Sequence, residues 1–243
     1  MDFRLEKLGL HDASPFKEEL IPAEFNRERI KTFISDPEKI VRIHSTGASL
    51  EGVKKELEEG RQALQELRDT YHIPIPDFEF VIGPYINESI PFVYILTQRV
   101  HGQNLTEITF SPEQKERAKG QLDALYSSLA QYFWDMYKEN RAFLRDITKL
   151  PQYVYGKKQG DSQDYPYLVD LDYFYHNDFS TTEGFASFFS SLFWLYSDIK
   201  EIETKVGARL NESRRKFTQF LSFINRLDPH YDIIENIKAI HAL

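Results

Sequence analysis

The chain has 243 residues, a net charge of −8 and no cysteine. That length suffices for one large domain or two small lobes with a real core. The composition excludes a disulfide framework and any cysteine-based zinc site, and the acidic balance argues against nucleic-acid and anionic-membrane partners, which need a basic face.

Apolar residues make up 41% and charged residues 28%, as in ordinary globular proteins, so a folded chain is expected over most of its length. Met1 to Leu10 lacks the apolar centre of a signal peptide, and no apolar run approaches a membrane span. A cytoplasmic location is the expectation.

In chain order, Leu8 to Arg27 holds two prolines and mixed polarity, which fits irregular structure with one or two short strands. Arg29 to Ile34, the turn signal Asp36-Pro37-Glu38-Lys39 and the β-branched run Ile40-Val41-Arg42-Ile43-His44 predict a hairpin over 29–44. Ser49 to Tyr71 predicts a helix: Ser49 suits the N-cap, and Leu50, Val53, Leu57, Gly60, Leu64 and Leu67 fall on one face. His72-Ile73-Pro74-Ile75-Pro76 is expected to be extended, because a residue before proline is pushed out of the α region.

Phe78 to Ile82 and Pro91 to Val100 predict strands, the second buried on both faces because Phe92 to Leu96 is continuously apolar. His101-Gly102-Gln103-Asn104 is expected to break that strand. Ser111-Pro112-Glu113 then starts a long amphipathic helix to about Glu139. Ala142 to Tyr175 reads as strand-rich loops with a polar hairpin tip at Gly156 to Asp164, and the chain from Gly184 onward reads as helical. The fold class is therefore α+β: a small sheet with one helix over residues 1–101, then a mainly α lobe over 102–243.

Two segments add chemistry. The first is Tyr94-Ile95-Leu96-Thr97-Gln98-Arg99-Val100-His101-Gly102-Gln103-Asn104-Leu105, a buried strand running into a Q-x-V-x-G-x-x-L pattern. The second is Phe143-Leu144-Arg145-Asp146, followed by Gln152-Tyr153-Val154-Tyr155-Gly156 and Tyr167-Leu168-Val169-Asp170. Together they resemble the interlobe hinge, the catalytic loop and the metal-binding strand pair of the protein-kinase-like superfamily. The likeness is greatest to its small bacterial members and to the aminoglycoside phosphotransferases. It covers residues 29–175.

The resemblance implies a two-lobed kinase-like fold and an ATP-dependent phosphotransferase using Mg2+. In such a protein Asp146 would be the catalytic base that orients an acceptor hydroxyl. Asp170, with Gln152 or Asp172, would hold the metal, which prefers hard oxygen ligands. The backbone at Gln98, Arg99 and Val100 would pair with adenine. Arg42 would contact the phosphates, steadied by Glu56, which at about 100° per residue lies at the edge of the helix's apolar face while Glu58 and Glu59 project away. The partners implied are a nucleotide and a small-molecule or protein acceptor, and the missing A-P-E-type segment leaves no usual platform for protein substrates.

The chain departs from the family in three places. There is no Gly-rich phosphate loop, since Gly9 is the only glycine before Gly47. Arg42 stands where lysine is expected, keeping the charge but not the compact ammonium. Pro151 or Gln152 replaces the metal-binding Asn. These departures raise a second reading, a pseudokinase kept as a nucleotide-binding or regulatory module. A third reading, from another class, is an α-rich interaction module working through its aromatic C-terminal helices.

Among the other residues, Phe188 to Tyr196 reads as a buried core helix and Arg214-Arg215-Lys216 as a solvated helix face. The seven histidines show no metal-ligand spacing, and His44, His101 and His176 are expected to be solvated or hydrogen-bonded.

Overall fold

The expected hairpin is present. β2 (Ile30–Phe33) and β3 (Lys39–Ser45) pair antiparallel, with Thr32 opposite Ile40 and Ile30 opposite Arg42. The Thr32 hydroxyl ties the turn by donating to the Lys39 carbonyl at 2.8 Å. The computed structural model describes residues 20–23, 30–45, 49–83, 92–171, 176–177, 179 and 181–227. Of the segment expected to be irregular, β1 (Leu20–Pro22) is described and pairs with β2; the vestigial glycine motif at Gly9 lies outside the described residues.

β4 (Phe78–Gly83) and β5 (Phe92–Gln98) complete an antiparallel five-stranded sheet in the order β1-β2-β3-β5-β4. β5 is central and buried on both faces, as its continuous apolar run predicts. Its alternation splits the packing. Val93 and Ile95 join the main core with Val53 and Leu57 of α1 (Leu50–Asp69), while Phe92, Tyr94 and Leu96 join a smaller core with Phe33 and Val41.

α1 forms where its apolar spacing places it. Ser49 caps it by accepting the Gly52 N–H, and Val53, Leu57, Gly60, Leu64 and Leu67 are its buried residues. After it the chain runs extended from Ile73, whereas His72 takes a left-handed φ of 54°. The proline rule acts only on Ile73 and Ile75, so His72 is free to make the turn. The end of α1 is tied to the second lobe: Glu66 pairs with Arg141 at 2.7 Å, the Tyr71 hydroxyl donates to Asp135 at 3.2 Å, and the Leu168 N–H donates to the Pro74 carbonyl at 2.9 Å.

The break after β5 falls at Arg99, ahead of the expected 101–104, which is not a loop. His101 to Asn104 belongs to a strand, β6 (Val100–Asn104), which pairs antiparallel with β8 (Tyr153–Lys158). Gly102 sits opposite Gly156, and a Cβ on Gly102 would stand 2.2 Å from the Tyr155 carbonyl oxygen. The glycine that suggested a break is what lets two backbones lie this close. The chain thus passes from the first sheet to a three-stranded one, β6-β8-β9, with β9 at Tyr165–Leu168. The polar insert is the tip of the β8–β9 hairpin, although β8 itself reaches Lys158.

α2 (Pro112–Glu139) begins with a full capping box, in which Ser111 and Gln114 each satisfy the other's backbone N–H. It ends at Asn140, whose left-handed φ of 52° lets it stop the helix. The short pair β7 (Phe143–Leu144) and β10 (His176–Asn177) follows in space. α3 (Thr182–Val206) and α4 (Asn211–Leu227) then pack on α2. Asp123 of α2 caps α4 from outside, accepting the Ser213 N–H at 2.8 Å and the Ser213 hydroxyl at 2.7 Å. The predicted core helix is α3: Phe188, Leu192 and Leu195 are buried, though Trp194 is 40% exposed. No helix among the described residues is long and apolar enough to cross a membrane.

Candidate functional site

Strand geometry builds the site first. Residues two apart on a strand face the same way, and Ile40, Arg42 and His44 share a sheet face with their cross-strand partners Thr97, Ile95 and Val93. That is the face on which α1 packs. Arg42 therefore points toward the second lobe, into a cleft of about 810 Å³ between the two sheets. Ile30 and Ile40 line its upper side, Val154 and Val169 its lower side, and Gln98, Arg99 and Val100 its edge.

Arg42 forms an ion pair with Asp170, whose side chain is 29% exposed against 20% for Arg42. The two lie 128 residues apart in sequence. The expected partner Glu56 is half-buried on α1, and no ion pair joins it to Arg42 among the described residues. Asp170 sits directly across the cleft from β3, and a partly desolvated carboxylate attracts a guanidinium more strongly than one that keeps its water.

The loop carrying Asp146 is stitched to Asp170 by a relay of backbone bonds. The Lys149 N–H donates to Asp146 O at 3.2 Å, the Gln152 N–H to Lys149 O at 3.0 Å, and the Val169 N–H to Gln152 O at 2.9 Å. Leu150–Gln152 makes a single 3-10 turn, and Asn104 of β6 clamps it by donating to the Pro151 carbonyl at 2.8 Å. Asp146 takes a left-handed φ of 68°, a region that Asp and Asn tolerate better than other side chains. Its carboxylate is partly exposed, with Lys149 at 2.7 Å and Arg145 at 3.6 Å.

Buried groups hold this loop from below. Tyr153 donates to the Ile147 carbonyl at 2.6 Å, and the Tyr132 hydroxyl accepts the Leu144 N–H at 2.8 Å. From α3, Asp198, only 5% exposed, accepts the Leu150 N–H at 3.0 Å. Burial pushes the Asp198 carboxyl up to about 7, helped by the charge of Glu201 and opposed by the Leu150 bond and Lys149. The hydroxyls of Tyr126 and Thr148 are buried with no hydrogen-bond partner among the described residues, and the Tyr126 hydroxyl is raised well above its usual range by burial and by Asp198.

Of the residues the sequence points to, Arg42, Gln98, Arg99 and Val100 line the cleft, and Asp170 reaches it through its ion pair with Arg42; Asp146 and Gln152 lie on the loop whose Pro151 lines it, and Glu56 does not line it. Asp172 lies outside the described residues. Two amides of the 98–100 stretch are already used, because the Gln98 N–H donates to Asp77 O at 3.1 Å and the Arg99 N–H to Glu38 O at 2.7 Å. Sequence reasoning missed the apolar walls Ile30, Ile40, Val154 and Val169, which carry no signal beyond strand alternation. It also missed Asp198, although an acid in register with Leu195 and Ile202 on an apolar helix face was a visible signal.

Magnesium, the ion the resemblance implies, needs several hard oxygen ligands near octahedral positions. Of the residues the resemblance names for it, Asp170 is paired with the Arg42 guanidinium, the Gln152 side chain lies on the 3-10 turn, and Asp172 lies outside the described residues; no group of three or more His, Asp or Glu converges among the described residues.

No family model matches the chain, and no curated protein matches it. Among solved structures it is similar to the GDP and kanamycin complex of APH(2")-IIia, with 14% identity and a TM-score of 0.44 over 98% of this chain and 99% of that one. At that level of similarity the functional reading rests on the chain's own geometry.

Proposed function

We propose that this chain is a nucleotide-dependent phosphotransferase with the two-lobed plan of kinase-like proteins. One observation carries the reading: a single cleft combines apolar walls suited to a purine, a guanidinium at Arg42, and Pro151 of the loop that also bears Asp146. Ile30 and Ile40 above and Val154 and Val169 below would sandwich a flat base. Because the Gln98 and Arg99 amides are taken, the base would pair with carbonyls of that stretch or with Val100. Arg42 would meet the phosphates. Asp146, partly exposed, would orient or deprotonate the acceptor hydroxyl of a small molecule or protein.

Binding is tested by thermal unfolding with ATP, GTP, ADP and adenosine, since a ligand at about 100 times its Kd stabilises the fold by about 2.7 kcal/mol. Turnover is tested by phosphate release from ATP in wild type beside Asp146→Asn. Stabilisation with release that is lost in the variant is the expected result. No response to any of the four ligands would sink the reading.

A second reading is binding without turnover, as in a pseudokinase. The Arg42–Asp170 ion pair favours it, because it engages the acid that would otherwise hold a metal. Nucleotide stabilisation with no phosphate release would select it.

A further inference from the structure

We infer that the acceptor lies against Trp194 and is a hydroxyl-bearing ring compound with a negatively charged substituent. The inference rests on Asp146 being the acceptor-orienting acid of the reading above, and it names the chemistry of what that acid orients.

Trp194 stands apart on its helix. The neighbouring apolar residues Phe188, Leu192 and Leu195 of α3 are buried, yet Trp194 is exposed. A lone exposed apolar side chain is ordinary, but the place of this one is not. The Lys149 ammonium stands 5.7 Å from the centre of the Trp194 ring and 2.7 Å from the Asp146 carboxylate. The indole is therefore two contacts away from Asp146, and both side chains are open to solvent in part. One small molecule can touch both.

The spacing is held by a bond. Asp198 lies one helical turn after Trp194, on the same side of α3. It accepts the N–H of Leu150, the residue directly after Lys149, at 3.0 Å. The helix that carries the indole thus also fixes the loop that carries Lys149 and Asp146.

Charge selects the kind of ring. Arg145 also reaches Asp146, at 3.6 Å, so two cations flank one carboxylate. Arg145 is exposed and Lys149 partly so. Of the acids nearest Trp194 along α3, Asp198 is buried under Leu150 and Glu201 pairs with Lys205 at 3.6 Å. Among the described residues the ground between the indole and Asp146 is positive. A ring laid against the indole gains contact through its flat face. A carboxylate or phosphate on that ring meets Lys149 and Arg145, whereas an ammonium meets two like charges.

The experiment is ligand-observed saturation-transfer NMR on the full chain with two trios of probes. Each trio is built on one ring and varies its charge: glucuronate, glucose and glucosamine, then para-hydroxybenzoate, para-hydroxybenzyl alcohol and tyramine. In the trio whose ring fits, the anion is expected to bind most tightly and the cation least, about threefold apart at each step. About 1 M salt, with a screening length of about 3 Å, should erase that order. Arg145→Met should narrow it. Trp194→Ala should weaken the anion about tenfold, and Trp194→Phe, which keeps a flat ring, should restore much of the loss and so separate the platform from the fold. A cation bound as tightly as the anion would overturn the inference. So would an anion indifferent to Trp194→Ala, or the absence of binding by every probe. None of these outcomes touches the nucleotide site, which is tested by thermal unfolding with ADP. Phosphate release that survives in Asp146→Asn would instead remove the acid against which the acceptor is placed, whatever the probes do.

Discussion

The Asp198 carboxylate of α3 accepts the Leu150 N–H, at 3.0 Å, from inside the second lobe. This one bond couples the core helix to the turn that links Asp146 with the segment before Asp170. Truncating Asp198 to Ala leaves a buried backbone donor unpaired, which costs about 1–3 kcal/mol. Asp198→Asn keeps an acceptor oxygen, and at pH 6 the raised carboxyl is itself mostly protonated, so the two side chains differ little in charge. At pH 6, urea unfolding is expected to rank wild type and Asp198→Asn together and Asp198→Ala below both.

The same carboxyl makes stability depend on pH in an unusual direction. Its folded value is about 7, raised chiefly by burial, against about 3.9 in an unfolded chain. The folded state therefore holds the proton more tightly, and protonation favours folding. The contribution is full below pH 4, declines as pH rises through the window from about 4 to 7, and is gone above it. Groups facing it are Glu201 on α3, Lys149 on the loop, Tyr126 on α2 and Tyr153 on β8. Wild type should lose stability relative to Asp198→Asn between pH 5 and pH 8, and the variant should match or exceed wild type at pH 8. Parallel stability–pH curves for the two proteins would contradict this.

Two glycines should respond oppositely to alanine. A Cβ on Gly102 meets the Tyr155 carbonyl oxygen at 2.2 Å and the Gly156 Cα at 2.6 Å, backbone atoms that cannot step aside without parting β6 from β8. Gly102→Ala should destabilise by about 1–3 kcal/mol. Gly120 lies on the exposed face of α2, with nothing within 4 Å of the point an added methyl would occupy, so Gly120→Ala should stabilise by about 0.5–1 kcal/mol through helix propensity. Chemical denaturation of both variants checks the pair.

At Asp146 the backbone limits the choice of variant. With φ at 68°, an alanine adds strain of about 1 kcal/mol that asparagine largely avoids. Asp146→Asn should hold its unfolding midpoint near wild type while losing phosphate release. Asp146→Ala should lose both. Release retained by Asp146→Asn would remove the acceptor-orienting role.

Legibility in the sequence followed the range of the interactions. α1 and α2 were readable because their signals are local: Ser49 and Ser111 cap the helices they precede, and the apolar spacing lies within one segment. β5 was readable because burial on both faces shows as one apolar run. β6 was not. His101-Gly102-Gln103-Asn104 is polar and glycine-bearing, and only its distant partner β8, with Gly156 opposite Gly102, makes it a strand. The site followed the same rule. Asp146 and Asp170 stand in short motifs, but the choice of Asp170 over Glu56 as the partner of Arg42 depends on how the lobes meet, which spacing along α1 does not encode.

The contacts between the lobes have a mechanical consequence. The first lobe meets the second through the backbone at Arg99, where Glu66, Tyr71 and Pro74 face Arg141, Asp135 and Leu168, and across the cleft where Arg42 meets Asp170. The last of these is a latch as well as a charge pair: whatever draws Asp170 away from Arg42 also removes one of the ties that hold the two walls together. Ile40 and Arg42 sit on one strand, so a group resting on the first and a group held by the second keep a fixed spacing.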